Sequence, residues 1–92
     1  MKLERSGNVM DIKGVVKTID HSNQIIHELN NINDSSIVLR IHDSYILPSK
    51  VIGELLKLHS EGKNIVIYIK EPVLEEILTD LGLDKKLQIK ML

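Results

Sequence analysis

Hydrophobic and polar positions along the chain follow one period at its start and another further on. Residues 9–16 alternate between apolar and polar side chains, which is the period of a half-buried strand. A shorter apolar-polar stretch, residues 2–5, precedes it, and the turn-forming residues Ser6, Gly7 and Asn8 lie between the two. We therefore expect the chain to open with a β-hairpin.

Apolar residues then recur at helical spacing in three segments. Asp20 and Ser22 are predicted to cap the first helix, Pro48-Ser49 precede the second and Gly62 ends it. Pro72 lies in the first turn of the third, and Gly82 is its predicted C-terminal cap. The predicted core stripes are Ile25, Ile26, Leu29 and Ile32; then Val51, Ile52, Leu55, Leu56 and His59; then Val73, Leu74, Ile77, Leu78 and Leu81.

Two nearly continuous runs of branched residues, 37–41 and 65–69, separate these helices, and residues 87–91 alternate again. Such runs are typical of strands that are covered on both faces. The order β-β-α-β-α-β-α-β predicts an α/β fold with a mixed, mostly parallel sheet covered by helices. Right-handed crossovers would place consecutive helices on one face. Residues 1–92 are expected to form a single domain.

Composition excludes several classes of function. The net charge of −1 and the two aromatic residues argue against a nucleic-acid partner, and no segment is long and apolar enough for membrane insertion. The chain has no cysteine, which excludes disulfides and thiolate metal sites. Its charged start lacks the pattern of a signal peptide. We expect a cytoplasmic protein.

The second half of the chain resembles the STAS domain, the fold of bacterial anti-sigma factor antagonists and of sulfate-transporter tails. That family has a buried strand, a short bridge, and then Asp-Ser-Ser-Gly-Leu-Gly opening a helix. Here the buried strand Leu39-Arg40-Ile41 is followed by Pro48-Ser49-Lys50-Val51-Ile52-Gly53 and by Leu55-Leu56. Later landmarks of the family correspond to Gly62, the strand 65–69 and Leu81-Gly82-Leu83, and Gly14 matches the glycine that ends the second family strand.

The resemblance implies a non-catalytic, STAS-like protein that works by protein–protein interaction, such as an anti-sigma factor antagonist in a partner-switching pathway. Ser49 falls on the serine that a partner kinase phosphorylates in regulatory members. Pro48, Lys50 and Val51 replace the flanking Asp, Ser and Gly of the family motif. The implied partner is an anti-sigma factor kinase or, as an alternative, a transport or signalling complex in which this chain is an accessory subunit.

In the STAS family the bridge after the second strand lies beside the start of the second helix, so the resemblance implies a candidate partner surface that joins the two. Its residues are Lys17, Thr18, Asp20, His21, Ser49 and Lys50. Ser49 has two interpretations, a helix cap or a phospho-acceptor at a helix N-terminus, where the backbone favours an anion. An unpaired strand at the edge of the sheet is the second candidate surface.

No residue pattern predicts catalysis or a cofactor. The four histidines come from different elements and lack the spacing of a zinc site, so we predict no metal. Asp43-Ser44 and Ser35-Ser36 lie outside any nucleophile motif and are interpreted as loop residues. A nucleotide or small-ligand module stays open as another alternative, which predicts a pocket near the ends of the central strands.

Overall fold

Five strands and three helices follow one another in the predicted order. The structure, a computed structural model, describes residues 1–92. The elements are β1 (Lys2–Ser6), β2 (Val9–Lys13), α1 (Ile19–Asn30), β3 (Ser36–Ile41), α2 (Ser49–Ser60), β4 (Asn64–Ile69), α3 (Pro72–Asp80) and β5 (Gln88–Met91), with a short 3₁₀ turn at Leu83–Lys85. The predicted α/β class is confirmed, although the second strand ends at Lys13, three residues earlier than its alternation suggested.

The strands form one mixed sheet in the order β1-β2-β3-β4-β5. β1 and β2 are antiparallel and form the expected hairpin, in which Ser6 lies opposite Val9 across the two-residue turn Gly7-Asn8. The other three pairs are parallel. The carboxyl ends of β2, β3 and β4 therefore lie at one edge of the sheet, where α1, α2 and α3 begin.

One hydrophobic core lies between the helices and one face of the sheet. Buried side chains of the central strands alternate with half-buried ones along the chain, as the period of a strand requires. The core comprises Met10, Ile12, Val16, Ile25, Leu29, Ile32, Ile37, Leu39, Ile41, Leu47, Val51, Leu55, Leu58, Ile65, Ile67, Ile69, Leu74, Leu78, Leu83 and Leu87. Because all three helices contribute to it, they cover the same face, as predicted from right-handed crossovers.

The opposite face of the sheet carries no helix, and we call it the open face. It is formed by the other set of alternating side chains, on all five strands, which are Lys2, Glu4, Ser6, Val9, Asp11, Lys13, Ser36, Val38, Arg40, Asn64, Val66, Tyr68, Gln88 and Lys90. None of them is fully buried. The prediction that the strands 37–41 and 65–69 are covered on both faces is wrong, because three helices in one layer leave the second face free.

The predicted core stripe of α3 is also only partly correct. Leu74 and Leu78 are buried, whereas Val73, Ile77 and Leu81 are exposed. A helix of nine residues that packs on a sheet buries one narrow stripe, and the apolar positions one residue before that stripe stay in solvent. The predicted helix end at Gly62 is confirmed, since its φ of 95° is a conformation that residues with a Cβ rarely adopt.

Candidate functional site

The loops at the carboxyl ends of β2 and β3 lie side by side, and we call residues 14–18 and 42–48 the loop edge. Two adjacent side chains hold these loops together. The backbone N–H of Gly14 donates to Asp43 Oδ2 at 2.8 Å. Ser44 Oγ accepts from the N–H of Val16 at 3.2 Å and donates to the carbonyl of Ile46 at 2.6 Å.

This joint explains why Asp43 and Ser44 are present. Ser44 is 0% exposed, so its hydroxyl satisfies backbone groups that water does not reach. The interpretation of Asp43-Ser44 as loop residues agrees with these contacts. The joint itself was not predicted, because hydrogen bonds between residues nearly thirty positions apart leave no pattern in the sequence.

α1 begins on the loop edge with a reciprocal cap. Thr18 is the N-cap, and its Oγ1 accepts from the N–H of His21 at 3.1 Å. The His21 ring returns the contact, since Nδ1 accepts from the N–H of Lys17 at 3.1 Å. The prediction that Asp20 and Ser22 cap this helix is wrong. The helix starts earlier, Asp20 lies exposed in the first turn, and Ser22 is buried within the helix.

α2 begins nearby, and its start differs from the expected one. The N-cap position is occupied by Pro48, and Ser49 is the first helical residue. Ser49 makes no capping hydrogen bond, so its interpretation as a helix cap is wrong. A side chain at the first helical position lies beside the free N–H groups of the first turn, whereas a capping side chain must come from the residue before. The Ser49 side chain is exposed.

One side-chain contact joins α1 and α2 near their starts. Lys50 Nζ on α2 donates to Asn23 Oδ1 on α1 at 2.6 Å. Of the other predicted surface residues, Lys17 and Thr18 precede α1, Asp20 lies in its first turn and Ser49 begins α2, and all four are exposed. Asn23 was not anticipated, because it lies on the polar side of a predicted helix where any polar residue is expected.

Three large apolar side chains are exposed on this side of the molecule. Ile19 at the start of α1 is 72% exposed, and Tyr45 and Ile46 in the loop after β3 are 56% and 46% exposed. They were not predicted as site residues. Ile19 lies off the stripe of its helix, which is a usable signal. Tyr45 and Ile46 lie in an aperiodic stretch, where burial cannot be deduced from spacing.

A second polar cluster lies on the open face. Arg40 donates two hydrogen bonds to the Asp11 carboxylate, from Nε and from one terminal nitrogen, both at 2.8 Å. His42 Nε2 lies 2.7 Å from Asp11 Oδ1. The hydrogen bond from Arg40 holds the pKa of Asp11 below its ordinary value, with a smaller contribution from His42, while partial burial acts in the opposite direction. The same pairing raises the pKa of Arg40.

Beyond these two clusters, the structure contains one cavity. This cavity, of about 320 Å³, lies between β1 and α1 and is lined by Leu3, Arg5, Gln24, His27 and Glu28. It lies against the edge strand β1, whereas the small-ligand alternative places its pocket near the ends of the central strands. No group of three or more His, Cys, Asp or Glu side chains is arranged to hold a metal ion. None of the helices has the length and apolar character needed to cross a membrane.

Comparison of the chain with protein-family models, with curated proteins and with solved structures gave no match.

Proposed function

We propose that this chain is a non-catalytic, STAS-like domain that binds a protein partner through the loop edge and the adjoining first turns of α1 and α2. In this proposal it acts as an anti-sigma factor antagonist or a comparable regulator in a partner-switching pathway. An accessory subunit of a transport or signalling complex would use the same surface.

The observation that carries the proposal is the exposure of Ile19, Tyr45 and Ile46 beside a rigid, hydrogen-bonded joint. Exposed apolar groups rimmed by polar residues are typical of protein–protein contacts. Lys17, Asp20 and Lys50 supply a rim of mixed charge. Because the Ser44 joint fixes both loops before binding, a partner would meet a surface that needs little ordering.

Gly53 supports the same surface from the next turn of α2. It is exposed in the middle of the helix, its φ is not positive, and a Cβ added there would meet no atom within 4 Å. The fold therefore gives no reason for glycine, which costs a helix interior about 1 kcal/mol relative to alanine. A partner backbone that approaches α2 closely would supply that reason.

Ser49 is the candidate regulatory residue on this surface. A phosphate there would lie at a helix N-terminus, which stabilises it, and would add about −1.5 to −2 charges next to the partner. Lys50 is already engaged by Asn23, so the new charge would either repel the partner or draw Lys50 away from α1. The nucleotide alternative has less support, because the one cavity is lined by β1 and α1 and by no residue of the central strands β3 and β4.

The test is quantitative capture of native partners from the source cells with four forms of the protein: wild type, Ser49→Ala, Ser49→Asp and Ser35→Asp. Ser35 is exposed and precedes β3 at the opposite edge of the sheet, so its substitution adds the same charge away from the surface. We expect one partner to be retained by wild type, Ser49→Ala and Ser35→Asp and lost by Ser49→Asp.

A double variant tests the binding surface independently of the charge switch at Ser49. Tyr45→Ser combined with Ile46→Ser removes two exposed apolar side chains and should lose the partner with the fold intact, as judged by an unchanged unfolding midpoint. If this double variant captures every partner as wild type does, the loop edge is not the binding surface. If the double variant loses the partner but Ser49→Asp retains it as wild type does, the binding surface is supported and the charge switch at Ser49 is wrong.

A further inference from the structure

The open face is unusual because most of the sheet is parallel. β2, β3, β4 and β5 run in the same direction, and helices cover them on one side only. Parallel sheets are normally covered on both faces, since their strands are rich in apolar residues on both sides. The chain therefore lacks one layer that this kind of sheet ordinarily has.

An apolar strip crosses the centre of the open face. Val9, Val38 and Val66 are direct neighbours on β2, β3 and β4, and Tyr68 lies next along β4. At a strand spacing of about 4.8 Å, the three valines span roughly 10 Å. All four side chains are half-buried among their neighbours. Part of each of these side chains therefore faces solvent.

Charges on the open face are predominantly basic, and they lie on one side of the strip, toward the carboxyl ends of β2, β3 and β4. The basic residues are Lys2, Lys13, Arg40 and Lys90. The two acidic residues of the face are Glu4, which pairs with Lys2 and Lys13, and Asp11, which pairs with Arg40.

Outside the open face, acidic residues outnumber basic ones. Of twelve basic and thirteen acidic residues in the sequence, four basic and two acidic ones belong to the open face, which leaves eight basic and eleven acidic ones elsewhere. The open face is thus the basic side of a protein whose remaining surface is acidic. Such a separation favours an acidic partner on this side.

We infer that the open face binds an acidic amphipathic helix of a partner protein. A helix is the element that completes the missing layer of a parallel sheet. Its apolar stripe would cover Val9, Val38 and Val66, and one acidic flank would meet Lys13 and Lys90, which lie on the same side of the strip. This surface is on the opposite side of the sheet from the helices, and the inference does not depend on the function proposed for the loop edge.

Two other occupants are outcomes of the test. A bilayer suits the face less, because segments that enter a bilayer do so with exposed apolar groups, and the three valines are half-buried. A second copy carries Val73, Ile77 and Leu81 exposed on α3 and at its C-cap beside acidic residues, so the experiment must separate self-association from binding of a partner helix.

The experiment uses two synthetic amphipathic peptides of about 18 residues with the same leucine stripe, flanked by glutamate in one and by lysine in the other. Each is titrated into the ¹⁵N-labelled protein and followed by NMR. We expect the glutamate peptide to shift the amide signals of Val9, Val38, Val66 and Tyr68. Raising salt from about 50 to 500 mM should weaken its binding about tenfold, because the contacts at the rim are solvent-exposed ion pairs.

Two matched double variants make the test specific. Lys13→Glu with Lys90→Glu should weaken binding at least about fivefold, and Lys57→Glu with Lys86→Glu, exposed positions outside this face, should change it less than about twofold. Equal binding of the two peptides, shifts confined to the helices, or no shift at all would overturn the inference. So would binding to phosphatidylserine vesicles without peptide binding, or self-association of the protein with the valine signals shifted.

Discussion

The two faces of the sheet are built from the same strands and differ in what their alternating residues meet. On the face under the helices, β2, β3 and β4 contribute Met, Ile and Leu side chains that are almost completely buried. On the open face the same strands contribute Val9, Val38 and Val66 together with Asp11 and Arg40. The larger aliphatic residues are under the helices, and the smaller ones lie among charges in solvent.

This difference shows that local apolar character does not measure burial. β3 reads Ser-Ile-Val-Leu-Arg-Ile and β4 reads Asn-Ile-Val-Ile-Tyr-Ile, so either could be a strand buried on both sides. A β-branched valine fits a pleated surface even where it is half exposed. The face that holds isoleucine and leucine at every position is the one that the core occupies.

The largest expected loss of stability follows a substitution on the core face of the sheet. Ile67→Ala removes a fully buried side chain at the centre of β4 and should lower the free energy of unfolding by about 3 kcal/mol, because the cavity adds to the lost burial. Val66→Ala, the adjacent residue on the open face, should cost about 1 kcal/mol or less. Urea unfolding of both variants measures the difference.

Equal losses for Ile67→Ala and Val66→Ala would contradict this comparison. They would mean that the open face is covered in solution, by a second copy of the chain for example. Repeating the measurement at two protein concentrations separates these cases, since a covering partner copy makes stability depend on concentration.

The sequence predicted the fold well where the period of the pattern is strong. Ile25 and Leu29 at helical spacing identified α1 and its core side, whereas the continuous run 65–69 identified β4 without showing which of its faces is buried. It predicted the covering layers poorly, because whether a second layer exists depends on how many helices the chain has and on which side the crossovers place them. Arg40 within an apolar run was the one local sign of an open face.

The candidate site was likewise predicted only in part. The grouping of Lys17, Thr18, Ser49 and Lys50 was predicted from the resemblance to the STAS family, and the Lys50–Asn23 contact that joins α2 to α1 was not predicted. The hydrogen bonds from Ser44 and the cluster of Asp11, Arg40 and His42 were not predicted. Each joins residues of separate elements, and only the sheet register makes them neighbours.

A medium loss of stability is expected at the Ser44 joint between the loops that follow β2 and β3. Ser44→Ala leaves the N–H of Val16 without a partner away from water and should cost about 2 kcal/mol of unfolding free energy. Ser35→Ala is the matched control, since Ser35 is exposed in a loop at the opposite edge, and should change stability by less than about 0.5 kcal/mol. A loss below that limit for Ser44→Ala would show that water replaces the hydroxyl.

The smallest expected effect on stability concerns Asp11 on the open face, and it depends on pH. The pKa of Asp11 is lowered in the folded state by Arg40, so the ionised carboxylate stabilises the fold above its unfolded pKa. This contribution is lost as the pH falls through the folded-state pKa. Asp11→Asn should therefore be less stable than wild type near pH 6, and the two should converge on acidification below about pH 4.

The response to salt should distinguish the Asp11–Arg40 pair from the exposed pair of Glu4 and Lys13. The pKa of Glu4 is also lowered, by Lys13, but Glu4 lies in solvent at the edge of the sheet, so high salt should remove its effect. The bidentate contact of Asp11 with Arg40 is partly buried and should persist in about 0.5 M salt. If Asp11→Asn and wild type lose stability in parallel from pH 6 to pH 3, this contact orders the open face without stabilising it, and its role would then lie in presenting Arg40 to a partner.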